Sequence, residues 1–458
     1  MIMRFLTRLG IRIKSKPTIA PASTYGVSAA GVSPGALQVI ERLQAKNYQA
    51  FIVGGAVRDL LLGVKPKDFD VATNATPEEI KPLFRRAFII GRRFRLVHVL
   101  VGAETIEVST FRAAKDVSDP EADEHGRILS DNVYGKQADD AARRDFTVNA
   151  LYYDPVGEQI WDYLGSLKDI KARQLRLIGD PETRFREDPV RMLRAVRLSA
   201  KLNLTIAAKT RAPIKQLAPL LSNVPPSRLF DETLKLLLSG YALATLSAMR
   251  REGLHHGILP LLDIVLEQPM GQRFIELALA DTDERVTSGK PVSPSFLFAT
   301  LLWHEVLQAW EARKQKGERP VPALHAAMDE VIERQGERLA IPKRFVGVMK
   351  EVWVLQPRFE QRSGQRPFRL LETERFRAAY DFLWLRCKSG EMPVELADWW
   401  LAFQDADAER RADMLKPDEG RATGNTRRRR RPRKNKGAGD AADAAVDAAP
   451  QSPAAASE

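Results

Sequence analysis

The chain has 458 residues, with 71 Lys and Arg against 59 Asp and Glu for a formal net charge of +12, and is long enough for roughly two to four domains with buried cores. Its single cysteine, Cys387, excludes an intramolecular disulfide and fits a reducing compartment, and no apolar run approaches the ~18 residues of a membrane-spanning helix. The charge points to a polyanionic partner, but it is concentrated: residues 427–436, RRRRRPRKNK, hold eight positive charges and leave +4 on the remainder.

In chain order, residues 1–34 carry Arg4, Arg8, Arg12, Lys14 and Lys16 without an acid and then a Pro/Ser/Ala/Gly stretch, which reads as a disordered basic leader. No apolar segment follows the basic residues, so a secretory signal is not expected, whereas an acid-free, arginine-bearing start also fits a mitochondrial transit peptide. Strands are expected near 49–53, 68–73, 86–90, 95–101 and 104–111. The first ends at Gly54-Gly55 and gives way to a short amphipathic helix, an arrangement that exposes backbone N–H groups to a phosphate. Glycine keeps a Cβ from holding the ligand away, although an isolated Gly-Gly is more commonly an ordinary tight turn.

Asp68 and Asp70 flank Phe69 on the second strand. Alternation puts both carboxylates on one face, with Cα atoms about 6.6 Å apart at ~3.3 Å rise per residue. Such a pair can share two divalent cations about 3.5–4 Å apart; without a cation the like charges favour protonation of one. A helix is expected from Pro77, with Thr76 as N-cap and Glu78 and Glu79 in its first turn. In residues 104–111, Ile106 and Val108 face a core and turn Glu107 to the other face as a third carboxylate. Residues 114–137 are polar and unpatterned, a mobile excursion over the site.

A helix expected from Asp139 onward carries Arg143-Arg144-Asp145-Phe146-Thr147-Val148-Asn149, where Asp145 and Asn149 share a face four residues apart. Asp188 before Pro189 reads as an N-cap followed by Pro at N1. Arg191, Arg194 and Arg197 then recur every three residues over about 120° of helix surface. The rest of the chain is expected to be helical. His98 fits a structural histidine; His255, His256, His304 and His325 lack metal-ligand spacing. Trp399, Trp400 and Phe403 recur at helical spacing and fit a core better than an RNA-stacking surface. After Asp413 hydrophobic periodicity stops, and the chain runs into the arginine block and an Ala/Asp/Pro tail.

These motifs, GGAVRDLLLG, KDFDVATNATPEEI, IEVSTFR, RRDFTVNALYYD and EDPVRMLRAVRLSAKL, resemble in order and spacing the class II nucleotidyltransferase superfamily of bacterial poly(A) polymerases and CCA-adding enzymes. The segment IGRRFRLVHV (90–99) is similar to the poly(A) polymerase form. The specific resemblance covers about residues 48–205, and a weaker one continues to 386. It implies an α+β fold: a mixed-sheet nucleotidyltransferase head (35–182), a helical neck that binds nucleotide and RNA (183–255), a helical RNA-binding body (256–413), and disordered termini (1–34 and 414–458).

By the same resemblance, Asp68, Asp70 and Glu107 hold Mg²⁺ or Mn²⁺, and Asp145 joins them as an essential acid. Gly54, Gly55, Arg58 and Asn149 hold ATP, Asp188 and Arg191 lie beside its base, and Arg194 and Arg197 face nucleotide or primer phosphate. The implied reaction is template-independent addition of AMP to RNA 3′ ends, marking RNA for decay. The tail residues Arg427, Arg428, Arg429, Arg430, Arg431, Arg433 and Lys434 add salt-sensitive RNA affinity. Implied partners are the RNA-decay machinery or an RNA chaperone. A cytoplasmic monomer is expected, with a peripheral place at the inner membrane left open and no stable membrane insertion. The alternatives are a CCA-adding tRNA nucleotidyltransferase and, more distantly, a non-catalytic RNA-binding protein.

Overall fold

The structure, a computed structural model, describes residues 16–91, 95–113, 133–254, 269–336 and 339–415. Eight strands, β1 (Thr18–Pro21), β2 (Ala50–Val53), β3 (Asp70–Thr73), β4 (Ala87–Ile90), β5 (Leu96–Val101), β6 (Glu104–Thr110), β7 (Leu151–Asp154) and β8 (Gln159–Asp162), form one sheet. Their order is β1-β8-β7-β2-β3-β6-β5-β4. Among the described residues, β3 and β6 pair in parallel and the other neighbours in this sheet pair antiparallel.

Period-2 alternation divides the sheet into two faces. On one, Ile52, Val71, Val97, Val99, Ile106 and Val108 are fully buried with Val39, Ile40 and Leu43 from the helix Pro34–Gln44. That helix starts at Ser33, whose hydroxyl accepts the Ala36 N–H, followed by Pro34. On the other face, Phe51, Val53, Ala72, Phe111, Tyr152 and Tyr163 pack with Ala141 of the helix Gln137–Arg143. Asp70 and Glu107 stand on this second face, just beyond its aromatic cluster.

The remainder is helical, as expected, apart from a short parallel pairing of Thr205–Ile206 with Gln174–Leu175. The helices Val190–Leu202 and Pro226–Leu237 share the large core with Pro294–Gln315, Pro320–Gly336 and Lys343–Leu355. A second cluster joins Phe359, Phe376, Tyr380, Trp400 and Phe403. Trp400 and Phe403 are completely buried, so they belong to a core. Among the described residues no helix is long and apolar enough to cross a membrane.

Three local expectations differ from the structure. Residues 18–34, assigned to the disordered leader, are ordered: β1 adds to the sheet edge by antiparallel pairing with β8, and two short 3₁₀ turns follow. Backbone hydrogen bonding to the strand edge fixes a segment whose side chains carry no strand signature. The helix expected to carry Asp145 and Asn149 ends at Arg143; Arg144 and Phe146 are extended, and Thr147–Asn149 is a 3₁₀ turn. Asp68 precedes β3, which begins at Asp70. By contrast the start at Thr76 is as read, with the Glu79 carboxylate accepting from the Thr76 backbone N–H at 2.7 Å and from its hydroxyl at 2.9 Å. Residues 114–132 of the excursion expected over 114–137, Arg92-Arg93-Phe94, His255, His256 and the arginine block lie outside the described residues; the end of the excursion is held in place, with Tyr134 bridging to Arg112 and Gln137 opening a helix.

Between β2 and the helix Gly55–Leu61, Gly54 adopts φ +69°, ψ −127°, a region open essentially to glycine. A Cβ there would also stand 3.2 Å from Nη1 of Arg144. Gly54→Ala is therefore expected to lower stability by about 1–3 kcal/mol in urea unfolding; an unchanged midpoint would show that the turn relaxes without strain.

Candidate active site

The parallel register sets Asp70 directly beside Glu107, and the antiparallel register of β5 sets His98 beside Glu107 in turn. Paired residues of neighbouring strands point to the same face, so three polar side chains form one row across the sheet. His98 Nε2 lies 3.3 Å from Glu107 Oε1, at ion-pair distance but without hydrogen-bond alignment. Asp70 reaches solvent, yet surrounding protein, then Glu107, then Asp68 disfavour its charge; Arg144 opposes them, and the carboxyl is pushed up to about 6. Asp68 is exposed and contributes through its field. Among the described residues no three His, Cys, Asp or Glu side chains are gathered as a closed metal cluster. The structure thus brings together Asp70 and Glu107 and leaves Asp68 at their margin.

Arg144 is anchored behind this row. Its guanidinium donates to Asp140 at 3.1 Å and to the Asn149 carbonyl at 3.3 Å, and it lies 5.5 Å over the Tyr152 ring. The Tyr152 hydroxyl donates to the same Asp140 oxygen at 2.7 Å. Burial alone would push the Asp140 carboxyl up, but Arg144 and Arg143 outweigh it and hold the carboxyl below its ordinary value. Ser109, Arg112, Asp140, Arg143 and Arg144 line a cavity of about 190 Å³ on this face.

On the Gly54 side a chain of side chains runs from the helix Gly55–Leu61 to the helix Val190–Leu202. Arg58 donates to Asn149 Oδ1 at 2.7 Å, and Asn149 Nδ2 donates to Asp145 Oδ1 at 3.0 Å. Asp145 Oδ2 accepts two bonds from Arg194, at 2.9 and 2.5 Å. So Asp145 and Asn149 do meet, through a side-chain hydrogen bond around an extended turn rather than along a helix face. Burial raises the Asp145 carboxyl; Arg194, Asn149 and the Phe146 N–H overcome it and hold it below the usual range. Arg194 is engaged by Asp145 rather than standing open to a phosphate. Burial lowers the Arg197 guanidinium from its ordinary value, and its Nε has no hydrogen-bond partner.

Asp188 departs from the N-cap expectation. Its backbone carbonyl, not its side chain, accepts the Arg191 N–H at 3.1 Å, and its Oδ2 accepts from Arg228 at 2.6 Å. Arg191 turns back to Glu187 at 3.0 Å and to the Arg184 carbonyl at 2.6 Å. Sequence reasoning assigned nothing to Asp140, Arg144, Arg228 or Glu232. The spacing of Asp140 and Arg144, four residues apart, was a usable local signal; the partners of Arg228 and Glu232 lie 35 to 40 residues upstream and left none.

Three family profiles cover most of the chain: "Poly A polymerase head domain" over residues 50–176, "Probable RNA and SrmB- binding site of polymerase A" over 203–266, and "Polymerase A arginine-rich C-terminus" over 316–435. Poly(A) polymerase I of Haemophilus influenzae is 43% identical over 411 residues, 88% of this chain and 91% of that protein. The chain belongs to the poly(A) polymerase I family. Poly(A) polymerase I of Escherichia coli O6:H1 is also 43% identical, over 91% of this chain and 92% of its own length. A CCA-adding enzyme of Bacillus licheniformis is 36% identical over only 52% of this chain. Among solved structures, the Bacillus stearothermophilus CCA-adding enzyme in complex with CTP superposes with a TM-score of 0.56 at 26% identity, covering 83% of both chains. The poly(A) polymerase family and the CCA-adding enzymes thus share this architecture, while the sequence match over nearly the whole chain belongs to the former.

The Asp145–Arg194 pair is about one-third exposed on the arginine side (33% against 13%), so Asp145→Ala is expected to cost about 2 kcal/mol at pH 7, less than a fully buried pair. Because the folded carboxyl is held below its unfolded value, this stabilisation is complete above about pH 4 and is lost as pH falls further. Urea unfolding of both proteins between pH 7 and pH 2.5 should show the difference shrinking in acid; a gap independent of pH would contradict the pairing.

Proposed function

We propose that this chain is a template-independent poly(A) polymerase that transfers AMP from ATP to RNA 3′ ends and releases pyrophosphate, leaving tails that mark RNA for decay. The observation that carries this reading is the near-full-length kinship with poly(A) polymerase I, joined to a carboxylate pair set beside the Gly54 turn. Burial, and then the charges of Glu107 and Asp68, raise Asp70 to about 6, and neighbouring carboxylates disfavour each other's charge without a cation. That is the donor chemistry of a divalent-metal site, and Asp70 and Glu107, with Asp68 at their margin, would hold Mg²⁺ or Mn²⁺. Such a cation, when bound, acidifies the RNA 3′-hydroxyl and neutralises triphosphate charge.

The chain's own residues supply position and charge. Gly54 and Gly55 let the triphosphate approach the backbone, with Arg58 behind them. Asp145, fixed by Arg194, and Asn149, fixed by Arg58, receive the ribose. Asp188 and Arg191 read the base, and Arg197 keeps an unshared N–H for phosphate. The 3′-hydroxyl attacks the α-phosphorus in line, the bond to the bridging oxygen breaks, and pyrophosphate leaves with no covalent enzyme intermediate.

In this reading residues 35–182 are the catalytic head, 183–255 the neck and 256–413 an RNA-binding body. The block Arg427–Arg431, Arg433 and Lys434 adds non-specific RNA affinity. The enzyme works as a cytoplasmic monomer, with decay enzymes or an RNA chaperone as partners.

Labelled oligo(A), and tRNA lacking its 3′ CCA, each incubated with Mg²⁺ and either ATP or CTP, test the proposal. A long ladder on oligo(A) with ATP and little with CTP is expected. Two C additions confined to the tRNA would make the chain a CCA-adding enzyme. Asp70→Asn should reduce the rate by roughly 10³-fold with RNA affinity retained; retained turnover would refute the carboxylate assignment.

A further inference from the structure

The polar row Asp70, Glu107 and His98 contains one member that the proposed chemistry leaves unused. His98 is paired with Glu107 on one side and with Phe88 on the other. Its Nε2 is a buried atom without a hydrogen-bond partner, yet it lies 3.3 Å from Glu107 Oε1. Alternation along β5 puts Leu96 and Leu100 on the same face as His98. Among these neighbours, only the Glu107 carboxylate can accept a hydrogen bond from the ring.

A carboxylate accepts and does not donate, so this contact requires the tautomer with its hydrogen on Nε2. Alignment, rather than distance, is what the pair lacks. The adjustment is small, because the terminal torsion of a glutamate is broad and soft. His98 is the more enclosed of the two side chains (29% against 54% exposed), so the carboxylate is the member that turns. On its other flank Glu107 meets a second carboxylate, Asp70, and like charges directly opposite each other repel. Glu107 thus stands between a like charge and a donor. By giving one oxygen to the donor it keeps the other for a cation. Carboxylates that ligate metals are held by such outer hydrogen bonds, which fix their orientation.

We propose that His98 is a positioning residue for the metal-binding carboxylate: it donates from Nε2 to Glu107 and fixes which oxygen Glu107 offers to a divalent cation. The inference rests on the function proposed above and gives a part in it to a residue whose pattern alone reads as structural. The two roles differ in what can replace the ring. A histidine kept for packing is matched by any side chain that fills its space, whereas a positioning donor needs an N–H at that place.

The test is Mn²⁺ binding, read from the electron paramagnetic resonance signal of the free ion, by the full wild-type chain, His98→Leu, His98→Gln and Asp70→Asn. Asp70→Asn should abolish the site and so identifies it. His98→Leu, which fills the space without a donor, should weaken Mn²⁺ binding by about 10–100-fold, the range for outer-shell replacements at metal sites. His98→Gln keeps an N–H and should recover most of that affinity. The melting temperature of the metal-free protein should hold in both His98 variants. In oligo(A) extension His98→Leu should need about tenfold more Mg²⁺ for its half-maximal rate, with KM for oligo(A) unchanged. Wild-type Mn²⁺ affinity in His98→Leu would overturn the proposal, as would equal losses in both His98 variants accompanied by a lowered melting temperature. A wild type that binds no Mn²⁺ and yields no ladder would overturn the function beneath it as well.

Discussion

The parallel pairing of β3 with β6 is the constraint on which the site depends. It is the one parallel contact described in an otherwise antiparallel sheet, and its register sets Asp70 against Glu107. A slip of one residue would turn Glu107 into the core and bring Val108 out, so the buried Val71, Ile106 and Val108 lock the acids in place as surely as they build the core. The juxtaposition is unfavourable by itself. With its pKa raised in the folded state, ionisation of Asp70 lowers stability as pH rises from about 4 through about 6. A cation bound there would remove that penalty; the sheet itself holds a charge arrangement that it does not neutralise.

In the proposed reading, a second layer of paired charges positions the nucleotide. Arg58, Asn149, Asp145, Arg194 and Glu232 run as a continuous chain from the Gly54 turn into the neck. Each member is held by its neighbours, which favours a pre-arranged ribose and base site over one assembled on binding. Arg184 reinforces the join, donating to the Arg143 and Arg144 carbonyls at 3.1 and 2.8 Å. The sheet and the helices that follow residue 181 are thus tied by polar bonds beside the residues proposed to grip the substrate, and by apolar packing elsewhere.

Local periodicity made much of this legible. The alternation of Ile106, Glu107 and Val108 identified both the strand and the outward acid, and Thr76-Pro77 marked a helix start. Partners distant in sequence were not legible from periodicity, and only the family resemblance joined Asp70 to Glu107. That Asp70 meets Glu107 follows from a pairing across 37 positions that no local pattern encodes. Asp145 and Asn149 looked helical because four-residue spacing is ambiguous between a helix face and a side-chain bond across a turn. Asp188-Pro189 looked like a cap because the dipeptide is one locally, until Arg228, forty residues later, takes the carboxylate. The strand β1 was invisible because Thr18–Pro21 owes its shape to the edge of β8, not to its own residues.

Direct titration of Asp70 by carboxyl NMR, in the free protein and with saturating Mg²⁺, tests the central claim most sharply. A pKa near 6 is expected in the free protein, falling to or below the ordinary carboxylate range of about 4 when the cation is present. An ordinary value in the free protein, or a raised value indifferent to Mg²⁺, would mean that Asp70 and Glu107 are not the cation-demanding pair on which the active site is built.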